Sequence, residues 1–341
     1  MNRWIRTFAG LALLLGAALP RGAAGQTLKI ATLAPEGTAW MTEIRAGAQE
    51  VEARTEGRVR MRFYPGGVMG NDRTVLRKIR AGQLHGGAFT TTSLSGIYRD
   101  VGIYGLPFLF QSLDEVDYVR GHMDPLLRRG LAAGGMIALG MSEGGFAYLL
   151  SAEPVERVAD LRQRKVWAPE GDEVSRLALK AAGVAPVTLP LADVYTGLQT
   201  GLIDTVGTTP AGAIALQWHT KVKYLTDVPL FYVMGVLAVD RKAFERLEPE
   251  DRKVVQEVMG RVFERMDRLN RQSNEQARAA LRRHGITFLA PASDAELARW
   301  RAIADETVAE IAARGVYSRE MLDTLLGHLK AYRAKKTADA R

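Results

Sequence analysis

The chain holds five histidines, His85, His122, His219, His284 and His328, and none lies in a recognisable metal-ligand spacing. There is no H-E-x-x-H, no G-x-S-x-G and no P-loop. Gly66-Gly67-Val68-Met69-Gly70 is superficially like a phosphate loop, but it lacks the lysine and reads as a strand-to-helix turn. His219 beside Trp218 could touch a ligand, but a packed or surface histidine is the better account of it. Cysteine is absent, which removes thiol catalysis, zinc fingers, iron–sulfur clusters and disulfides. It also removes the acylated cysteine that serves as a lipid anchor. No nucleophile is assembled with a base. The reading is therefore a binder rather than an enzyme, with no catalytic residues, no metal and no cofactor.

The elements around these residues begin after a leader. Arg3 and Arg6 precede an apolar run, Phe8 to Leu19, and the small residues Ala23-Ala24-Gly25 follow, the layout of a secretory signal peptide over residues 1–25. The run is about a dozen residues, short of the roughly 20 that span a bilayer. With 341 residues, 47% of them apolar and 25% charged, the chain has length for two globular lobes. The formal net charge is +8, and three of those positive charges, Arg3, Arg6 and Arg21, belong to the leader. The basic end, Lys330 to Arg341, carries no aromatic motif and reads as a solvated tail rather than a nucleic-acid site.

From Gln26 onward strand-like and helix-like segments alternate, the signature of an α/β fold. Phe146–Leu150 and Leu230–Val239 read as strands that cross between lobes, and 211–223 reads as one helix. Val254, Val255, Val258, Val262, Phe263, Met266 and Leu269 hold a helical stripe that predicts a long helix over 250–285. The expected layout is lobe I at 26–145 and 236–265, lobe II at 146–235, C-terminal helices at 286–333 and a basic tail at 334–341.

A whole-chain resemblance sharpens this. The succession Phe63-Tyr64-Pro65-Gly66-Gly67, Gly70-Asn71-Asp72, Arg80-Ala81-Gly82 and Leu106-Pro107-Phe108-Leu109-Phe110 resembles the substrate-binding subunits of tripartite ATP-independent periplasmic (TRAP) transporters, the DctP-type family. The match is tightest over Ala192-Asp193-Val194-Tyr195-Thr196-Gly197-Leu198-Gln199-Thr200-Gly201-Leu202-Ile203-Asp204. The resemblance implies a bilobed, periplasmic-binding-protein-like α/β fold, its lobes joined by crossing strands and braced by a long helix spanning both. It implies a freely diffusing periplasmic protein that closes on a small organic ligand and docks on small and large integral-membrane subunits. A protein presenting its ligand to a sensory receptor is the alternative.

Three departures from the family pattern bear on the ligand. The arginine that pairs with a ligand carboxylate in the family stands here as Trp167, a second family arginine as Phe146, and the family asparagine as Thr208, with Thr209 beside it. A cleft lined by Phe146 and Trp167 with Phe89, Trp218 and Tyr195 would suit an apolar or aromatic ligand, or a cation held by Glu36 or Glu143. The competing expectation is a carboxylate held by another arginine, Arg73 or Arg99.

Overall fold

The structure, a computed structural model, describes residues 25–339. The expected leader and the last residues of the basic tail lie outside the described residues. In chain order the elements are β1 (Gln26–Thr32), α1 (Ala39–Arg54), β2 (Val59–Tyr64), α2 (Asp72–Arg80), β3 (Gly86–Thr90), α3 (Leu113–Ala133) and β4 (Met136–Ser151). There follow α4 (Val158–Leu161), β5 (Trp167–Pro169), α5 (Glu173–Ala181), β6 (Val187–Leu189), α6 (Val194–Thr200), β7 (Thr205–Thr208), α7 (Pro210–Ala215) and β8 (Tyr224–Asp240). The chain continues with α8 (Arg241–Glu245), α9 (Pro249–Arg283), β9 (Thr287–Leu289), α10 (Asp294–Arg314) and α11 (Arg319–Asp339).

Side chains that satisfy the free N–H groups of a first turn start many of these helices. Thr38 accepts from Met41 N, Asn71 from Thr74 N, and Thr209 from Gly212 N ahead of Pro210.

One sheet runs through the molecule in the order β2-β1-β3-β8-β4-β7, with β9 added to β8. The pairs of β1 with β2 and β3 are parallel, and those among β3, β8, β4 and β7 are antiparallel. β4 and β8 have 16 and 17 residues, roughly 55 Å when extended, so each serves both lobes. The C-terminal half of β8 pairs with β3, while its first residues pair with β9. The small pair β5–β6 joins β7 through a bridge from Val166 to Thr205. The result is the two-lobed α/β architecture anticipated from sequence.

Apolar side chains of α1 and α9, Ile44, Val258 and Val262 among them, cover one face of the first lobe's sheet beside Leu28 and Ile30. Those of α3 and α11 pack with Phe89 and Met141 in a separate cluster. Each fully buried Leu, Ile or Val contributes roughly 1.5–3 kcal/mol. The second lobe is held by two smaller clusters around Trp218 and Trp300.

Helix α9, 35 residues and roughly 52 Å long, lies along the crossing strands. Its first half buries the apolar stripe, and Leu281 near its far end joins the second lobe's core. Between them four polar residues at helical spacing face β4. Asp267 Oδ1 accepts from Ser142 Oγ and Glu143 N, both at 2.9 Å, and Asn270 Nδ2 donates to the Glu143 carbonyl at 2.7 Å. Arg271 Nε donates to Glu143 Oε1 at 2.5 Å, and Asn274 Nδ2 donates to the Gly144 carbonyl at 2.7 Å. A register shift between Glu143 and Gly145 bends β4 here, with Gly145 at φ +104°. A Cβ at Gly145 would stand 2.6 Å from Asn274 Nδ2, so both the backbone and the close approach require glycine.

Local structure departs from the sequence reading in three places. The helix expected over 211–223 ends at Ala215, because Gln217 adopts φ +59° and a 3-10 turn, Trp218–Thr220, buries Trp218 instead. Phe146–Leu150 is not a separate strand but part of β4, since β8 pairs with it across the bend. The basic end is helical through Asp339, and Arg333 Nε pairs with Glu115 Oε1 of α3 at 2.7 Å.

Candidate functional site

A cavity of about 330 Å³ opens between the lobes. On one side β3 runs into a 3-10 turn, Thr91–Leu94, that brings Thr90, Thr91 and Thr92 to the wall. On the other, β5 presents Trp167, and the β7–α7 junction presents Thr208 and Thr209. Trp218 closes this side, and Tyr232 of β8 lines the cavity where the strands cross.

The tryptophans are locked. Trp167 is 7% exposed, donates from Nε1 to the Leu189 carbonyl at 2.9 Å, and meets Trp218 edge-on with ring centres 5.4 Å apart. Such fixed aromatic walls offer stacking surface at little entropic cost. Phe108 also lines the cavity, with φ +52°, a backbone conformation rare outside glycine. Its N–H donates to the Leu230 carbonyl at 2.7 Å, which holds the strained residue against β8.

Among the described residues no arginine, lysine or histidine lines the cavity. Asp172 is its one charged side chain among them. It caps α5, accepting from Val174 N, Ser175 N and Ser175 Oγ. Burial pushes its carboxyl above the usual aspartate range, and hydrogen bonds from Ser175 oppose that shift.

Of the residues named from sequence, Trp167, Thr208, Thr209 and Trp218 come together around this cavity. The other five lie elsewhere. Phe146 stands opposite Tyr232 in the β4–β8 register and packs edge-on against that ring, centres 5.1 Å apart, without lining the cavity itself. Phe89 is buried in the first lobe's core. Glu143 is 1% exposed and engaged by Arg271 and the Tyr232 hydroxyl. Glu36 is exposed and paired with Arg45, whose hydrogen bonds hold its carboxyl below the ordinary range. Tyr195 is half-buried, with the Lys221 ammonium 5.3 Å from its ring centre.

Neither of the two candidate arginines is among the residues lining the cavity. Arg73 pairs with Glu170 at 2.9 Å, and Arg99 donates to the Gly315 carbonyl at 3.2 Å. Sequence reasoning did not select Asp172, Phe108 or Tyr232. The helix-cap pattern of Asp172 was readable, but its place on the wall follows from how α5 meets β5 in space.

Among the described residues no helix is long and apolar enough to cross a membrane, and no group of three or more His, Asp or Glu side chains is placed to hold a metal.

Residues 30–315 match the family described as "DctP: Bacterial extracellular solute-binding protein, family 7". An uncharacterized protein, YiiZ, of Salmonella typhimurium is 26% identical over 213 residues, 61% of this chain and 64% of that protein, so the chain spans less than two thirds of that relative. The sugar acid binding protein DctPAm from Advenella mimigardefordensis, solved with galactonate, superposes with a TM-score of 0.83 at 19% identity, covering 90% of this chain and 98% of that one. A TRAP periplasmic solute binding protein from Desulfovibrio salexigens, solved with orotic acid, reaches 0.82 at 19% identity, covering 89% and 99%.

Proposed function

The chain belongs to family 7 of the bacterial extracellular solute-binding proteins and shares the fold of TRAP periplasmic binding proteins; from that premise we propose that it captures a substantially apolar or aromatic small molecule between its lobes. It then hands that molecule to the small and large integral-membrane subunits of a TRAP transporter. The observation that carries the ligand reading is the absence of any basic side chain among the described residues lining the cavity. A carboxylate taken into that space would lose its hydration without a cationic partner, at a cost of several kcal/mol.

The polar end of the ligand is matched by what the wall offers. The hydroxyls of Thr90, Thr92, Thr208 and Thr209 suit an uncharged hydroxyl or amide, and Asp172 suits a hydrogen-bond donor or an ammonium group. This gives Asp172 the role first expected of Glu36 or Glu143. The two solved relatives hold acids, and the lining of this cavity argues for a different chemistry.

Closure is part of the same proposal. The hinge lies at Gly144-Gly145 and Met234-Gly235, dividing lobe I from lobe II near residues 145 and 235. Support comes from the pairing of Ser142 with Gly235 and of Glu143 with Met234, next to the bend in β4. A ligand that touches both lobes only when they are closed shifts the population towards closure.

A thermal-shift screen of C4-dicarboxylates, sugar acids, aromatic acids, aromatic amines and neutral aromatics tests the ligand class. Stabilisation by the amines and neutral aromatics is expected. Strong stabilisation by dicarboxylates or sugar acids alone would overturn it.

A further inference from the structure

Behind the threonines of the cavity wall stands a carboxylate. Asp72, the first residue of α2, accepts from Ser93 Oγ, and neither residue lines the cavity. Ser93 Oγ lies 2.9 Å from Thr90 Oγ1, which lies 3.2 Å from Thr92 Oγ1. Thr90 and Thr92 are half-buried residues of the wall, so the four side chains form one hydrogen-bonded chain that ends at the cavity. Each hydroxyl has one proton to give, and an ionised carboxylate has none. Ser93 therefore commits its proton to Asp72, Thr90 must donate to Ser93, and Thr92 must donate to Thr90. Bonds aligned in one direction reinforce one another. Thr92, the last member, keeps only lone pairs for a ligand. Burial raises the Asp72 pKa and the hydrogen bond from Ser93 opposes that shift, and the alignment holds wherever the carboxylate is ionised. The opposite wall repeats the device, since Ser175 lines the cavity and donates to Asp172 Oδ2.

We infer that Asp72 is a positioning residue that sets ligand specificity: through Ser93 and Thr90 it makes the lobe I wall a hydrogen-bond acceptor, so the ligand presents an N–H or O–H donor to Thr92. Resting on the reading of the cleft as an apolar-ligand site, this fixes the direction of the polar bond within it. A ligand whose polar end can only accept must first break the Thr92–Thr90 bond to obtain a proton.

Indole and benzofuran test this by calorimetry at neutral pH, because they share one shape and differ by a donor N–H in one and a ring oxygen in the other. The wild type is expected to bind indole about two- to tenfold more tightly than benzofuran, the span of one net hydrogen bond. Asp72→Ala frees the Ser93 proton, and Ser93→Ala frees that of Thr90, so each variant lowers the ratio of the two affinities. In a Ser93→Ala background, adding Asp72→Ala should leave the ratio unchanged, since the link between Asp72 and the wall is already cut. A ratio is insensitive to a general loss of stability, and Ser93→Ala carries the test alone if Asp72→Ala does not fold. A wild-type ratio retained in Ser93→Ala, or a further fall when Asp72→Ala is added to it, overturns the role of Asp72. Equal binding of both probes by the wild type overturns it too and leaves the apolar cleft standing. Binding of succinate with neither aromatic probe bound overturns both.

Discussion

Trp167 shows how one residue can serve both wall and core. Its ring faces the cavity, its indole N–H holds the Leu189 carbonyl, and its edge meets Trp218. Trp167→Ala removes all three contacts, and a loss of about 3–5 kcal/mol in urea unfolding is expected, as for other large-to-small changes in a core. Trp167→Phe keeps most of the bulk and removes one of the two donors to the Leu189 carbonyl, the other being Glu170 N–H at 3.2 Å, so about 0.5–1.5 kcal/mol should be lost.

Asp172 makes a prediction about pH. Its folded-state pKa lies above the ordinary value, so between the two the folded protein holds the proton more tightly than the unfolded chain. Stability from this group is therefore present at acid pH and is lost as pH rises through the folded pKa. Asp172→Asn, which retains a good cap, should match the wild type in acid and gain relative to it towards neutrality. Urea titrations across that range check this, and a gap that narrows as pH rises would contradict it.

The element that matters most for mechanism is the polar stretch of α9 against the bend in β4. Glu143 is buried, and Arg271 supplies its nearest cation, with Arg120 at 3.9 Å. Removing one partner of such a pair leaves an uncompensated charge, so Arg271→Ala should cost about 3–5 kcal/mol. The double variant Arg271→Ala with Glu143→Gln should recover much of that loss, because the stranded charge is gone. Equal losses in the single and double variants would mean that Arg271 acts through packing alone. The same clasp holds Ser142, Glu143 and Gly144 to one helix, so the crossing strands bend at a defined place rather than along their length.

Across the whole molecule, Arg73 at the start of α2 and Glu170 just after β5 bring the two lobes together at 2.9 Å. Arg73 is 70% exposed, so the pair is worth no more than about 1 kcal/mol, or about fivefold in ligand affinity. Glu170→Lys turns that attraction into repulsion between the lobes. Ligand affinity should fall at low salt and return towards wild type at high salt, where exposed charges are screened. Small-angle scattering should report a larger radius for the variant under the same low-salt conditions.

Much of this was legible in the chain. The alternation of elements and the apolar stripe of α9 are local patterns, set by backbone sterics and by periods of two and 3.6 residues. The order of short motifs placed the chain in its family. Which side chains face the cavity was not legible, because that depends on pairing between residues far apart in sequence. Phe146 and Tyr232 sit opposite one another in register, yet Tyr232 lines the cavity and Phe146 does not. Glu143 meets Arg271, and Arg73 meets Glu170, only once the lobes and the long helix are in place. Trp167, at the position of a family arginine, is visible in the sequence alone. The tertiary structure alone decided that Arg73 pairs with Glu170, that Arg99 reaches the Gly315 carbonyl and that Trp300 comes from the C-terminal helices to the same cavity, because each contact joins residues far apart in the chain.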